Sequence, residues 1–163
     1  MFGLFNKTLK IKAPVNGQCV DLSQVPDEVF SKRMMGDGVA IRPTDGLYVA
    51  PADGELAMLF KTGHAYGMIL SNKVEILIHI GIDTVELQGE GFEILAEQGQ
   101  KVTAGTPIVR VDLDLIRQKG YDTITPIIIT SPDTTRPDSG TKLKAEVDQT
   151  VTAGQSTILT VTF

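Results

Sequence analysis

Residues 74–83 of this chain, Val-Glu-Ile-Leu-Ile-His-Ile-Gly-Ile-Asp, have the pattern of a β-strand whose side chains alternate between two faces of a sheet. One face is entirely β-branched and is expected to line a core; its members are Val74, Ile76, Ile78, Ile80 and Ile82. The other face is mixed and carries Glu75, Leu77, His79, Gly81 and Asp83. A mixed face of this kind is typical of a shallow functional surface rather than of a second core.

A turn signal separates this strand from an earlier apolar run. Ser71-Asn72 follows residues 68–70, which predicts a hairpin with a two-residue loop. In that register His64 faces His79, and directly opposed strand residues hold their Cβ atoms about 4.5–5.5 Å apart. A three-residue loop would break the register. Two imidazoles placed this closely predict a site for a phosphoryl group or for a metal ion.

The bulk composition describes one acidic globular domain. The chain has 163 residues, a hydrophobic share of 42% and a net charge of −5, enough length for a single buried core. No basic cluster is present, which argues against nucleic acid as a ligand. Cys19 is the only cysteine; it is expected to be a small buried residue, and a reducing, cytoplasmic setting fits best. Residues 1–10 are expected to form a flexible segment before a single domain over residues 11–163.

Most of the chain is expected to consist of short strands separated by turns, as in an antiparallel β-sandwich or barrel. The turn signals are Asp37-Gly38, Asp45-Gly46, Asp53-Gly54 and Ala104-Gly105. One short helix is predicted over Pro26 to Met35 and another over Leu113 to Lys119, the second starting near Asp112 and ending at Gly120.

Two internal echoes indicate a duplicated, intertwined β unit. Residues 13–17, Ala-Pro-Val-Asn-Gly, resemble residues 50–54, Ala-Pro-Ala-Asp-Gly. Residues 100–105, Gln-Lys-Val-Thr-Ala-Gly, resemble residues 149–154, Gln-Thr-Val-Thr-Ala-Gly. One such pair could arise from turn chemistry alone, whereas two different pairs favour duplication.

Three kinds of chemistry are compatible with the histidine pair. In the first, one imidazole is the nucleophile that carries a phosphoryl group, while the other histidine and Thr62 donate hydrogen bonds. In the second, His64 and His79 ligate zinc together with Asp83, as in a metal-dependent hydrolase. In the third, the Ala-Pro-x-x-Gly turns belong to a non-enzymatic carrier domain, although no lysine lies at a hairpin tip.

Residues 77–85, Leu-Ile-His-Ile-Gly-Ile-Asp-Thr-Val, resemble the signature of the glucose-type IIA proteins of the bacterial sugar phosphotransferase system. Further resemblance extends over roughly Ile11 to Val161 and is carried by residues 36–43, 49–54, 60–65 and 86–92. It implies an antiparallel β-sandwich built on a duplicated hybrid motif. It also implies a phosphotransferase component with a phosphohistidine intermediate and no cofactor.

The same resemblance implies roles for individual residues. His79 would accept the phosphoryl group on Nε2 from HPr and pass it to a cysteine on the IIB domain of a sugar permease. His64 would support the phosphate and its transfer, and Thr62 would hydrogen-bond to the histidine pair. Asp37 and Asp83 would flank the site and engage partners.

A small, transient contact surface suits such a relay, with an apolar centre and a charged rim. The residues predicted for an apolar ring around the site are Val39, Ile41, Phe60, Met68 and Leu77. Regulatory target proteins are further candidate partners. Contact with a membrane is expected only through the permease or through the N-terminal segment.

Overall fold

The computed structural model describes residues 8–136, 138 and 140–163, and over them the chain is an antiparallel β-sandwich with short helices, as predicted. The strands are β1 (Thr8–Lys12), β2 (Gly17–Asp21), β3 (Asp37–Pro43), β4 (Leu47–Val49), β5 (Gly54–Leu59), β6 (Ala65–Ile69), β7 (Glu75–His79), β8 (Phe92–Ile94), β9 (Lys101–Val102), β10 (Pro107–Val111), β11 (Thr125–Ser131), β12 (Lys142–Ala145), β13 (Gln149–Val151) and β14 (Thr157–Thr162). The α-helices are α1 (Glu28–Ser31) and α2 (Leu113–Gln118).

The described strands form three sheets in which all pairings are antiparallel. The largest has the order β13-β2-β3-β11-β7-β6-β5-β9, and the smaller two have the orders β1-β14-β12 and β4-β10-β8. One large buried cluster draws side chains from all three sheets, among them Ile11 of β1, Tyr48 of β4 and Ile78 of β7. Strand β7 therefore lies inside the main sheet, paired on both edges with β11 and β6.

The apolar face predicted for residues 74–83 is buried along its whole length. Val74, Ile76, Ile78 and Ile80 belong to the main core. Ile82 instead packs in a second cluster with Phe30 of α1. β7 ends at His79 and Gly81 has a φ of 77°, so the alternation of the strand does not continue to Ile82, which packs with Ala40 and Ile128 of the main sheet.

The two sequence echoes form equivalent structures, which confirms the duplicated unit. Three hydrogen bonds of one copy have counterparts in the other, and the units interlock because each donates to the other. The matched pairs are Val49 N to Pro14 O (2.7 Å) with Lys12 N to Pro51 O (2.8 Å), Gly154 N to Ala13 O (2.8 Å) with Gly105 N to Ala50 O (2.8 Å), and Ala153 N to Asn16 Oδ1 (2.7 Å) with Ala104 N to Asp53 Oδ1 (2.8 Å).

The first predicted helix is much shorter than expected. Only Glu28–Ser31 is helical, because Asp27 caps its start and Arg33 adopts a left-handed backbone conformation with φ of 58° shortly after its end. The second helix agrees with the prediction: Asp112 accepts a hydrogen bond from Leu115 N, and the chain reverses at Gly120.

The turn predicted at Asp37-Gly38 is wrong, because both residues lie in β3 and pair with β11. A Cβ at Gly38 would lie 1.9 Å from Ile127 O, so glycine permits the close approach of two strands here. Thr8–Lys10, expected in a flexible segment, pair with β14. Residues 1–7 of that segment lie outside the described part of the chain.

The predicted register of the β6–β7 hairpin is wrong by one residue. Ala65, not His64, pairs with His79. The loop comprises three residues, Ser71–Lys73, closed by Leu70 N donating to Val74 O at 2.7 Å. Asn72 and Lys73 both have positive φ values, whereas a two-residue type I′ loop would place the positive φ values at Ser71 and Asn72.

Within the described residues, no helix combines the length and hydropathy required to cross a bilayer.

Candidate functional site

The structure brings the two histidines together despite the altered register. His79 ends β7, and His64 directly precedes β6. Ile80 N donates to His64 O at 2.7 Å, which joins the two backbones just beyond the paired strands. The imidazole centroids are 5.2 Å apart and the ring planes meet at 79°. The predicted proximity therefore holds, with an edge-to-face arrangement of the rings.

The hydrogen bonding of His79 determines which ring nitrogen is nucleophilic. His79 Nδ1 lies 2.7 Å from Gly81 O. A carbonyl oxygen can only accept, so Nδ1 carries the proton and donates it. Nε2 of the neutral ring then retains its lone pair. Because the side chain is only half-buried, His79 is open to an incoming group.

The carbonyl that orients His79 belongs to a tightly held loop. Gly81 has φ of 77°, and a Cβ there would lie 2.6 Å from Thr84 Cγ2 and 2.8 Å from Asp122 O. Only glycine fits this position without a shift of the backbone. Thr84 Oγ1 donates to Ile80 O at 2.5 Å, and Ile82 N donates to Asp122 O at 3.0 Å. These bonds hold the loop, and with it Gly81 O, in place.

His64 lies deeper than His79, with 4% of its surface exposed. Its Nδ1 forms a short hydrogen bond with Thr62 Oγ1. The edge of Phe60 packs against the imidazole at a centroid distance of 4.9 Å. Thr62 thus contacts the histidine pair through His64, as the resemblance implied.

Burial keeps both histidines neutral near pH 7. Burial, with a smaller contribution from His79, lowers the pKa of His64 to about 4. Burial also lowers the pKa of His79, while the hydrogen bond to Gly81 and the charges of Asp27 and Asp83 act in the opposite direction. A neutral imidazole is the form that has a free nitrogen lone pair.

Of the two acidic residues predicted to flank the site, only Asp83 is among the charges that act on the pKa of His79. Asp83 is exposed in the loop after β7 and acts electrostatically on His79. Asp37 instead accepts a hydrogen bond from Arg33 Nε at 2.7 Å, and it is not among the charges that act on the pKa of His79. Asp27 does act on it, and the sequence analysis missed its position.

Phe30 explains why Asp27 lies near the site. Its ring lies 5.2 Å from that of His79, so helix α1 covers one side of the imidazole. Asp27 is the N-cap of that helix, with Oδ1 accepting from Val29 N at 2.9 Å. The sequence signalled an acidic helix start at this point, but only the packing of α1 brings that carboxylate toward His79.

The predicted apolar ring is wrong for three of its five residues. Val39, Ile41 and Met68 are buried in the main core, at 0%, 0% and 1% exposure. Phe60 is 40% exposed and Leu77 is half-buried, so these two remain at the surface. The error arose because these residues share the inner face of the sheet with Ile76 and Ile78: Met68 pairs with Ile76, and Val39 is joined to Ile78 through Ile127. Only the pairing between strands decides this, since alternation along one strand does not tell which of its faces is the inner one.

An apolar groove of about 290 Å³ lies beside the histidines. We call it the methionine groove; it is lined by Met35, Ala57, Met58, Phe60, Gly67, Met68, Ile69, Glu75, Ile76, Leu77 and Thr130. Phe60 belongs both to this groove and to the edge contact with His64. Phe60 therefore links the groove to the histidine pair.

The predicted zinc set of His64, His79 and Asp83 is not formed. Within the described part of the chain, no three histidine, cysteine or carboxylate side chains lie close enough together to hold a metal ion. The histidine pair alone does not make the three-ligand zinc site that hydrolases use.

The geometry agrees with comparisons to known proteins. A family model described as phosphoenolpyruvate-dependent sugar phosphotransferase system, EIIA 1, matches residues 9–135. A Bacillus anthracis protein named PTS system glucose-specific EIIA component is 47% identical over 164 residues, which cover 99% of this chain and 96% of that protein. The solved structure of glucose permease IIA from Mycoplasma capricolum has a TM-score of 0.85 and 38% identity, and the match covers 96% of this chain and 97% of that one.

A longer protein contains a similar region. The PTS system glucoside-specific EIICBA component of Staphylococcus carnosus is 53% identical over 121 residues, which are 74% of this chain and 18% of that protein. Taken with the family model, these likenesses show that the chain belongs to the EIIA 1 family of the phosphoenolpyruvate-dependent sugar phosphotransferase system. The resemblance carried by residues 77–85 is confirmed.

The loop that holds Gly81 O can be tested at Thr84. Thr84→Val removes the hydroxyl and leaves Ile80 O without its donor, so we expect a loss of about 1–2 kcal/mol in unfolding free energy. We also expect the other His79 tautomer to appear in ¹⁵N spectra, because Gly81 O is held less firmly.

Thr84→Ser should restore both properties. Thr125→Val is the matched control: it removes another buried threonine hydroxyl, bonded to Tyr48, and should lower stability without changing the tautomer of His79. A single, unchanged tautomer in Thr84→Val would contradict this account of the loop.

The neutral state of His64 predicts a pH dependence of stability. Its pKa of about 4 in the folded protein lies below the value of the unfolded chain, which is about 6.5. At pH values between these two pKa values, the unfolded chain therefore binds more protons than the folded protein. The stability contributed by neutral His64 is fully present above the pKa of the unfolded chain, and it falls as the pH is lowered toward the pKa of the folded protein.

Urea titrations at neutral and at acidic pH measure this loss of unfolding free energy, and the loss should be smaller in His64→Gln. An NMR titration in which the His64 imidazole becomes protonated at its ordinary pKa would contradict the prediction.

Proposed function

We propose that this protein is a phosphocarrier that accepts a phosphoryl group from phospho-HPr on His79 Nε2. It then passes the group to the cysteine of the IIB domain of a glucose-type sugar permease. The observation that carries the proposal is the hydrogen bond from His79 Nδ1 to Gly81 O. It places the ring proton on Nδ1 and leaves the lone pair of Nε2 free to attack phosphorus.

The transfer is a displacement at phosphorus. The Nε2 lone pair of His79 forms the new N–P bond as the N–P bond of the phosphohistidine of HPr breaks. In the second transfer, a cysteine thiolate attacks the same phosphorus and His79 leaves as neutral imidazole. Such transfers depend mainly on positioning and on donors aimed at the phosphoryl oxygens.

His64 is suited to be one of those donors. If the Thr62 hydroxyl donates to His64 Nδ1, the proton of the neutral ring must be on Nε2. That N–H can then donate to a phosphoryl oxygen on His79, whose ring centroid is 5.2 Å away. The lowered pKa of His64 supports a neutral ring that donates through one nitrogen only.

Partners would dock on the methionine groove and on the exposed side of the histidine pair. Phe60 and Leu77 from the predicted ring lie there, joined by Met35, Met58 and Ile69. Asp27 and Asp83 lie near enough to His79 to act on its pKa, so a basic partner surface would meet negative charge beside the apolar centre.

The permease partner is supported by the names of longer relatives, in which an A region occurs with C and B regions in one protein named EIICBA. No cofactor takes part in the proposed relay. Regulatory targets remain a prediction, as does a cytoplasmic location. Contact with a membrane would come through the permease or through residues 1–7, which lie outside the described residues.

Removing each histidine should separate the two transfers. His79→Ala should accept no phosphoryl group, because the nucleophile is lost. His64→Ala should still accept it from HPr, at a reduced rate, but should lose most of the onward transfer to IIB. The readout is incubation with enzyme I, HPr and phosphoenolpyruvate, followed by intact mass and mapping of the phosphorylated residue.

His64→Gln is the matched variant that keeps a side-chain N–H donor and should recover part of the onward transfer. Phosphorylation of His79→Ala together with its loss in His64→Ala would mean that the two roles are reversed.

Asp27 and Asp83 should affect the rate at which the protein associates with phospho-HPr rather than the phosphoryl-transfer step itself. Asp27→Asn keeps the helix cap and Asp83→Asn keeps the size of the side chain, but each removes a charge. We expect kcat/KM with phospho-HPr to fall about two- to fivefold at low salt and to converge with the unmodified protein near ~0.5 M salt.

Asp53→Asn removes a charge at the duplicated turn, where the side chain accepts from Ala104 N, and should leave the salt dependence unchanged. Equal rates for Asp27→Asn, Asp83→Asn and the unmodified protein at every salt concentration would rule out this electrostatic role.

A further inference from the structure

Methionines are unusually exposed around the methionine groove. Met58 is 47% exposed and Met35 is 41% exposed, and both line the groove; Met34, at 69%, lies outside it. Met68 lines the same groove from below but is only 1% exposed. A thioether is apolar and flexible enough to pack against varied partners, and it is also open to oxidation when solvent reaches it.

The groove is the part of the surface where a change of polarity would matter most. Phe60 and Leu77 share it with the two exposed methionines, and Phe60 touches the ring of His64. A partner that delivers a phosphoryl group to His79 would bury these side chains. The neighbouring groups that could satisfy a new polar atom are few, because the lining is mostly apolar.

We propose that Met35 and Met58 form an oxidation-sensitive site at which hydroperoxides, by converting the thioethers to sulfoxides, weaken the docking of phospho-HPr and slow the acceptance of its phosphoryl group. This inference rests on the proposed function, because it assigns the groove to the partners of the relay. The oxidised groove places two sulfoxide oxygens where the partner offers apolar contact, and each must lose its hydration for the partner to bind.

The chemistry is a two-electron oxidation by a peroxide. The sulfur lone pair attacks one peroxide oxygen, the S–O bond forms and the O–O bond breaks. The second oxygen leaves with a proton as water, or as an alcohol when the oxidant is an organic hydroperoxide. Sulfur is oxidised and the peroxide is reduced. Sulfoxide reductases reverse the step, so the modification is suited to regulation.

The rest of the chain limits the reaction to exposed methionines. Met68 is shielded by its burial in the core. Cys19 is fully buried, and burial raises the pKa of its thiol to about 12, so the reactive thiolate is scarce. The histidine pair itself is not altered. The effect should therefore fall on KM, which reports partner binding, and hardly on kcat.

The experiment treats the full chain with hydrogen peroxide, removes the oxidant and maps sulfoxides by peptide mass. Phosphoryl acceptance is then measured with phospho-HPr as the varied substrate. We expect oxidation at Met35 and Met58 but not at Met68, and a rise in KM of about tenfold. We expect kcat to stay within about twofold. Treatment with methionine sulfoxide reductases should restore the original KM.

Two variants locate the effect, each compared with its own untreated sample. In Met35→Leu/Met58→Leu the ratio of treated to untreated KM should be close to one. Met34→Leu is the matched control: it removes an exposed methionine outside the groove and should keep the full sensitivity.

The contrary outcomes are distinct. An unchanged KM after Met35 and Met58 are oxidised overturns the inference. It is also overturned if KM of Met35→Leu/Met58→Leu rises on peroxide treatment as much as that of the unmodified protein. Oxidation of Met34 that leaves Met35 and Met58 unoxidised overturns it as well. An untreated protein that accepts no phosphoryl group contradicts the proposed function itself, and the inference with it.

Discussion

The hydrogen bond from His79 Nδ1 to Gly81 O is the interaction on which the chemistry of this molecule depends. It assigns the ring proton to Nδ1 and leaves the lone pair of Nε2 free, as the proposed phosphoryl transfer requires. The carbonyl can do this only because Gly81 adopts a conformation that a side chain would obstruct, and because Thr84 and Asp122 hold the loop around it. A backbone atom, which carries no charge to titrate, thus orients the His79 imidazole.

Burial and the histidine pair act in the same direction. Removing the imidazoles from water disfavours their charged forms, so both rings stay neutral near pH 7. Asp27 and Asp83 oppose this shift for His79 without pairing directly with it. A carboxylate bonded to the ring would favour the charged form further and would repel the phosphoryl group. Negative charge at the edge of the site can attract a basic partner without that cost.

The surface that we propose as the docking site is also exposed to the solvent. Phe60 lines the apolar groove and also packs against His64, and Met35 and Met58 line the groove as well. A relay needs contacts that form and separate quickly, which favours a small apolar centre over an extensive interface. Thioethers supply adaptable contacts of this kind, and their susceptibility to oxidation follows from the exposure that docking requires.

The sequence by itself determined the strand alternation around His79, the duplicated turns and the family, because side-chain period and short motifs are local properties. It also predicted that His64 and His79 would meet, although through the wrong register. Only the tertiary structure decided that register, the covering of His79 by Phe30 with Asp27 beside it, and the burial of Met68. Alternation along a strand tells which side chains share a face. It does not tell which layers cover that face or how a loop closes, because those depend on packing between segments far apart in the chain.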